Sequence, residues 1–290
     1  MRIILILIGL AAGVAVLGTA GCGAGSGAGE RPTVIAAFYP LAFAAERIGA
    51  QRFDVVNLTP PGAEPHDIEL TARDVDRVRS AAVVLYLGGG FQPALEDALQ
   101  DASGRRVDVL QGVSLLRSDG EVDPHVWLDP VRFAAIVRRI GRVLRAPARA
   151  RSLVRALRRL DRDFQRTLSR CARRELVTSH AAFGYLADRY GLRQVAITGR
   201  SPEAEPTPRA VEHVVDEVRR TQATTIFVEP LVSARLAETV ARETGAATAV
   251  LDPLEGLDEG ALADGADYLS VMRHNLAALR AGLGCRRPSS

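Results

Sequence analysis

Three histidines of this 290-residue chain stand in three separate loop settings. His66 follows the proline turn Pro61-Gly62-Ala63-Glu64-Pro65 and precedes Asp67. His125 lies in Asp123-Pro124-His125-Val126-Trp127, and His180 ends Thr178-Ser179-His180. Each follows an apolar stretch or a proline turn, where a loop can hold a side chain in a cleft, and imidazole is the commonest protein ligand for a borderline metal. Asp252, in Val250-Leu251-Asp252-Pro253-Leu254, follows a fourth such stretch and completes a tetrahedral donor set. The two remaining histidines, His213 and His274, sit on helical patterns among charges and read as solvent-exposed. Glu229, in Phe227-Val228-Glu229-Pro230, also ends a strand pattern; as a ligand, a helix cap or a carboxylate that orients a histidine, it is placed in the last role. Glu64 is a weaker candidate.

A site of this kind needs elements to carry it. Short β-branched runs predict strands at 33–37, 53–58, 82–87 and 107–109, alternating with helical patterns at about 41–49, 71–80 and 91–101. Such alternation points to parallel sheets covered by helices. From Asp129-Pro130, an N-cap followed by a first-turn proline, the pattern is helical to residue 173, with an interruption at Ala146-Pro147. Within it Leu153, Leu157, Leu160, Phe164 and Leu168 recur at spacings of three and four, the mark of an amphipathic helix over 148–171, on the order of 35 Å long. Strands then resume at 175–178, 194–197, 225–228 and 247–251, with helices at 181–190, 208–220, 233–244 and 260–283.

The expected architecture is α/β: two Rossmann-like lobes with parallel sheets, over 33–147 and 173–290, joined by one long backbone helix over 148–172. The length suffices for each lobe to have its own core. Ligands of open α/β sheets bind beyond the carboxyl ends of strands. His66, His180 and Asp252 each follow a strand and His125 precedes the helix capped by Asp129, so two ligands from each lobe place the metal in the interdomain cleft.

With 47% hydrophobic and 24% charged residues the chain is globular in composition. All 37 basic residues are arginine, but 34 acids offset them to a net +3 and intersperse with them along the helices, which describes a solvated surface rather than a nucleic-acid partner. The N-terminus carries a different message. Met1-Arg2 is followed by an apolar and small-residue run to Ala20, then Gly21-Cys22 and a glycine-rich stretch. This reads as an export signal over 1–21 and a flexible tether over 22–32, in preference to a spanning helix. Thr19-Ala20-Gly21-Cys22 resembles the bacterial lipobox, with threonine where leucine is usual, so Cys22 is the expected lipidation site. Beyond the membrane, an oxidising compartment favours a disulfide between Cys171 and Cys285 over two free thiols.

The segments Gly62-Ala63-Glu64-Pro65-His66-Asp67, Asp123-Pro124-His125-Val126-Trp127-Leu128-Asp129-Pro130 and Ser179-His180-Ala181-Ala182-Phe183-Gly184-Tyr185-Leu186, with Glu229-Pro230 and Asp252-Pro253-Leu254, resemble in order the cluster A-I solute-binding lipoproteins of metal ABC importers, the ZnuA/TroA-like group. The resemblance covers nearly the whole chain after the tether. It implies a monomeric carrier on the outer face of the cytoplasmic membrane, a rigid helix between two lobes, a partner permease with its ATPase, and the ligands His66, His125, His180 and Asp252.

Manganese carriers of that group usually have glutamate in place of His180; three imidazoles and a carboxylate favour Zn2+, with Mn2+ the alternative. The histidine-rich loop of many zinc members is missing, since 105–122 holds no histidine. Four protein ligands leave no open position for a reaction, which sets a carrier apart from a zinc hydrolase with Glu229 as general base; no His-Glu-x-x-His is present. A surface adhesin of the same fold is the remaining alternative. The single connecting helix implies small lobe movements, with the loops around His66 and His180 signalling metal occupancy.

Overall fold

A computed structural model describes residues 31–66, 68–118, 121–200 and 206–286. The export signal, Cys22 and nearly all of the tether lie outside these. The described residues form one compact unit, and every core residue belongs to it.

The first sheet comprises β1 (Thr33–Ala36), β2 (Asp54–Asn57), β3 (Val83–Tyr86) and β4 (Arg105–Asp108), all parallel in the order β2-β1-β3-β4. Their crossovers contain α1 (Tyr39–Gly49), α2 (Ala72–Ser80) and α3 (Pro93–Ala98). Thr71 and Asp74 close a capping box at the start of α2, fixing where the chain leaves the His66 loop. A small antiparallel hairpin, β5 (Arg117–Ser118) and β6 (Glu121–Val122), leads to His125.

Asp129 then caps α4 (Pro130–Val143), its carboxylate accepting from the backbone N–H groups of Val131 and Arg132. The chain turns through Arg145 into α5 (Pro147–Leu168). The second sheet comprises β7 (Glu175–Thr178), β8 (Arg193–Ala196), β9 (Thr225–Val228) and β10 (Ala247–Val250), in the order β10-β9-β7-β8. Read from β8 it repeats the connectivity of the first sheet, so both lobes have a switch point between their first and third strands. Helices α6 (Gly184–Tyr190), α7 (Pro208–Thr221) and α8 (Arg235–Thr244) connect these strands, followed by α9 (Glu259–Ala263) and α10 (Tyr268–Gly282).

Seven of the eight strands in the two four-stranded sheets fall within a residue of where the β-branched runs placed them; β4 starts at Arg105, two residues before the run expected over 107–109. The helix expected over 260–283 is instead two. Gly265 adopts φ +78° after α9, and Asp267 with Ser270 makes a fresh capping box for α10. A helix-period pattern does not register such a break when apolar residues lie on both sides. Helix α6 likewise starts at Gly184, three residues later than the pattern suggested. The cores are not one per lobe. Leu153, Leu157, Leu160, Phe164 and Leu168 of α5 belong to one apolar cluster running from the first sheet to α6 and α10, and a smaller cluster lies between β7, β8, β9, α7 and α8. A disulfide joins Cys171 to Cys285, with backbone hydrogen bonds on either side pinning the end of α10 beside the start of the second sheet.

Candidate metal centre

The three histidines come together. His66 follows β2, His125 follows the hairpin, and His180 follows β7 at the switch point of the second sheet. Their imidazoles meet a fourth side chain, the carboxylate of Glu255. Glu255 Oε1 lies 2.9 Å from His125 Nε2, 3.0 Å from His66 Nε2 and 3.6 Å from His180 Nε2. In a tetrahedral zinc site with bonds of about 2.0–2.1 Å, neighbouring donors stand roughly 3.3 Å apart. The three distances straddle that value.

His125 and His180 are fully buried, Glu255 is 2% exposed, and only His66, at 12%, reaches the mouth of the cleft. His180 Nε2 is buried without a hydrogen-bond partner. A native fold rarely leaves a buried nitrogen unpaired, and a cation among these donors would satisfy it.

Each of the three imidazoles is held from behind. Asp123 Oδ1 lies 2.8 Å from His125 Nδ1 and accepts from the His125 backbone N–H at 2.9 Å. Glu229, at the end of β9, accepts from the His180 backbone N–H at 3.0 Å, and its second oxygen stands 2.5 Å from His180 Nδ1 in an ion-pair contact without hydrogen-bond alignment. Both leave Nε2 directed at the centre, the usual device for fixing the orientation of a metal-binding imidazole. The His66 loop rests on Gln92, whose buried amide donates to Pro65 O at 3.0 Å, and the Phe91 ring stands edge-on to His66 with centroids 4.7 Å apart.

Asp252 is not among the converging donors. Its Oδ1 accepts from the backbone N–H of Leu254 at 2.7 Å, an Asx turn that engages the short side chain with its own loop. Asn275 of α10 clamps the same residue, accepting from Asp252 N at 2.9 Å and donating to Asp252 O at 2.7 Å. The Trp127 indole donates to Pro253 O at 2.7 Å. Leu254 is buried with φ +58°, a left-handed conformation costing a leucine of order 1–3 kcal/mol that the clamps on either side enforce. The chain bends there, and Glu255, with one more methylene than aspartate, enters the cleft. The sequence pattern stopped at Asp252-Pro253-Leu254; the signal it left unused was a second carboxylate three residues on, in the same loop. The motif around His125 did not single out Asp123, although its spacing of two from His125 suits an orienting partner.

Without a metal the centre is a charge cluster. Burial alone would push His180 down, but the carboxylates of Glu229 and Glu255 more than reverse this and raise it to about 10. His125 follows the same logic: burial opposes its charge, and Asp123 and Glu255 carry its pKa above the usual imidazole value. Burial would raise Glu255, yet its interactions with the three histidines, His125 foremost, hold it well below the ordinary carboxylate range. Glu64 accepts from the His66 N–H at 3.2 Å, and burial followed by the charge of Glu255 pushes its carboxyl up to about 8. His213 and His274 are exposed and take no part.

Residues 34–282 match the family described as "Zinc-uptake complex component A periplasmic". The chain is 31% identical over 283 residues to the zinc-binding protein AdcA of Streptococcus pyogenes serotype M1, covering 85% of this chain but only 55% of that protein, so it spans about half the length of this relative. It is 29% identical over 288 residues to the high-affinity zinc uptake system protein ZnuA of Bacillus subtilis (strain 168), covering 90% of both. The crystal structure of the Zn(II)-bound ZnuA-like domain of Streptococcus pneumoniae AdcA superposes with a TM-score of 0.76 at 34% identity, over 87% of this chain and 99% of that one.

Proposed function

We propose, since the chain belongs to the family of periplasmic zinc-uptake component A, that it captures Zn2+ outside the cytoplasm and delivers it to an ABC permease with its ATPase. The convergence of three imidazole Nε2 atoms on the Glu255 carboxylate supports this most directly. On this reading His66, His125, His180 and Glu255 are the ligands, while Asp123 and Glu229 orient the imidazoles. Four protein donors saturate tetrahedral zinc and leave no position for an activated water, so the site holds its cargo and does no chemistry on it. A majority of nitrogen donors favours zinc over manganese, which prefers oxygen.

His66 is the least buried ligand and sits on a loop, so it is the first to meet an incoming ion and the last to release it. Gly62 N donates to Leu257 O at 3.1 Å, linking the His66 loop directly to the Glu255 loop. Losing the ion therefore loosens one covered seam between the lobes, and a permease can distinguish loaded from empty carrier there. Residues 1–21 serve as the export signal, Cys22 as the lipid-modified anchor and 22–32 as the tether. Among the described residues no helix is long and apolar enough to cross a membrane.

The test is metal analysis of the purified protein followed by competitive titration. One equivalent of zinc, not displaced by equimolar manganese, is expected. Manganese displacing zinc would overturn the choice of metal, and binding of neither would overturn the carrier.

A further inference from the structure

Helix α5 has a face that metal binding leaves unused. Its buried residues, from Ala150 to Leu168, point to one side. At 3.6 residues per turn, Arg151, Arg155, Arg158, Arg159, Arg162 and Arg166 fall within an arc of about 100° on the other side, and all six are exposed. Arg166 pairs with Asp163. Among the described residues the guanidinium groups of the other five have no hydrogen-bond or ion-pair partner.

The charge is also segregated along the chain. Residues 142–174 contain 12 of the 37 arginines and two of the 34 acids, a net +10, which leaves 25 arginines and 32 acids, a net −7, for everything else. Codon preference explains arginine in place of lysine but not this concentration. From Arg151 to Arg166 the row runs roughly 22 Å along a straight helix.

We propose that this stripe lies on the anionic phosphate headgroups of a phospholipid bilayer. Guanidinium groups match phosphate oxygens in pairs, and a straight exposed row fits a flat charged surface. The choice of a bilayer comes from the chain preceding the described residues. Cys22 stands nine residues before Arg31, and nine extended residues reach at most about 30 Å. A domain tethered so closely meets the bilayer at high effective concentration, where several weak contacts suffice to set its orientation. The inference rests on the reading that Cys22 anchors the protein, and the attraction of α5 for lipid is measurable without the anchor.

The chain from Arg31 onward, which carries its own core, is floated with vesicles of phosphatidylcholine alone and of phosphatidylcholine mixed with phosphatidylglycerol. Binding to the mixed vesicles only, weakened by added salt, is expected. Replacing Arg151, Arg155 and Arg159 together by glutamate is expected to weaken it on the order of a hundredfold, while zinc titration of the same sample, unchanged, shows that the variant is folded. Equal binding to both vesicle types, undiminished binding by the folded variant, or tighter binding to a DNA duplex than to the mixed vesicles would each overturn the proposal. Loss of zinc binding by the unaltered chain with vesicle binding retained would refute the carrier reading and leave this one standing.

Discussion

Replacing Glu255 by alanine distinguishes it from Asp252, its neighbour in the same loop. Glu255 Oε1 is within 2.9–3.6 Å of all three Nε2 atoms, so the substitution deletes one of four donors and the only anionic one. Removing a group that merely orients a ligand costs about 10–100-fold in metal affinity, or roughly 1.4–2.7 kcal/mol. Loss of a ligand must exceed that, and zinc affinity is expected to fall more than about a hundredfold. The metal-free protein should suffer too. Breaking a buried ion pair costs up to about 3–5 kcal/mol, and about 1 kcal/mol moves the Tm of a domain this size by about 2–4 °C, so a drop on the order of 10 °C is expected. Asp252→Ala removes only the turn hydrogen bond to Leu254, worth about 1 kcal/mol. Its Tm should fall by a few degrees and its zinc affinity by less than about tenfold. The chain's sole tryptophan makes the assay direct: Trp127 lies 5.3 Å from the His125 ring, so its fluorescence, read against a competing chelator, follows occupancy. Comparable losses in both variants, or zinc affinity within tenfold of the original for Glu255→Ala, would refute this assignment.

Four further outcomes follow from the same geometry. Glu229→Gln keeps an acceptor for the His180 backbone N–H but removes the charge beside Nδ1, and zinc affinity by the same titration should fall about 10–100-fold. Zinc needs neutral imidazole. With metal-free His180 raised to about 10, binding near neutral pH must release at least one proton, and affinity should climb about tenfold per pH unit from 6.5 toward 10; calorimetry in buffers of different ionisation enthalpy would show no proton release if this were wrong. For stability the sign is opposite: the contribution of His180 to the metal-free fold is complete below about 6.5 and is lost as pH rises through about 10. Finally, a Cβ on Gly184 would stand 2.6 Å from Asp123 Oδ2, so Gly184→Ala should displace the carboxylate behind His125 and weaken zinc binding about tenfold or more, although alanine favours the helix; unchanged affinity in the same titration would show that Asp123 has room to shift.

The lobes were legible because their strands are short β-branched runs and α5 has a clean three-four apolar spacing, signals that depend only on neighbouring residues. The three histidines were legible because each follows an apolar stretch or a proline turn that sets it in a loop. Glu255 was not. Its position depends on a left-handed Leu254, an Asx turn by Asp252, and clamps from Asn275 and Trp127, which are 20 or more residues away in sequence. Tertiary contacts, not the local pattern, decide which of two carboxylates in one loop enters the cleft. The break at Gly265 was hidden for a related reason, since glycine within an amphipathic pattern reads as tolerated unless the cap that follows it is recognised.

The most direct test of the His66, His125, His180 and Glu255 centre is a crystal structure of the zinc-loaded protein with anomalous scattering at the zinc edge. A single four-coordinate ion bound by three imidazole Nε2 atoms and a Glu255 oxygen, at about 2.0–2.2 Å, is the expected result. An ion bound by Asp252 in place of Glu255, or one completed by water, would contradict it.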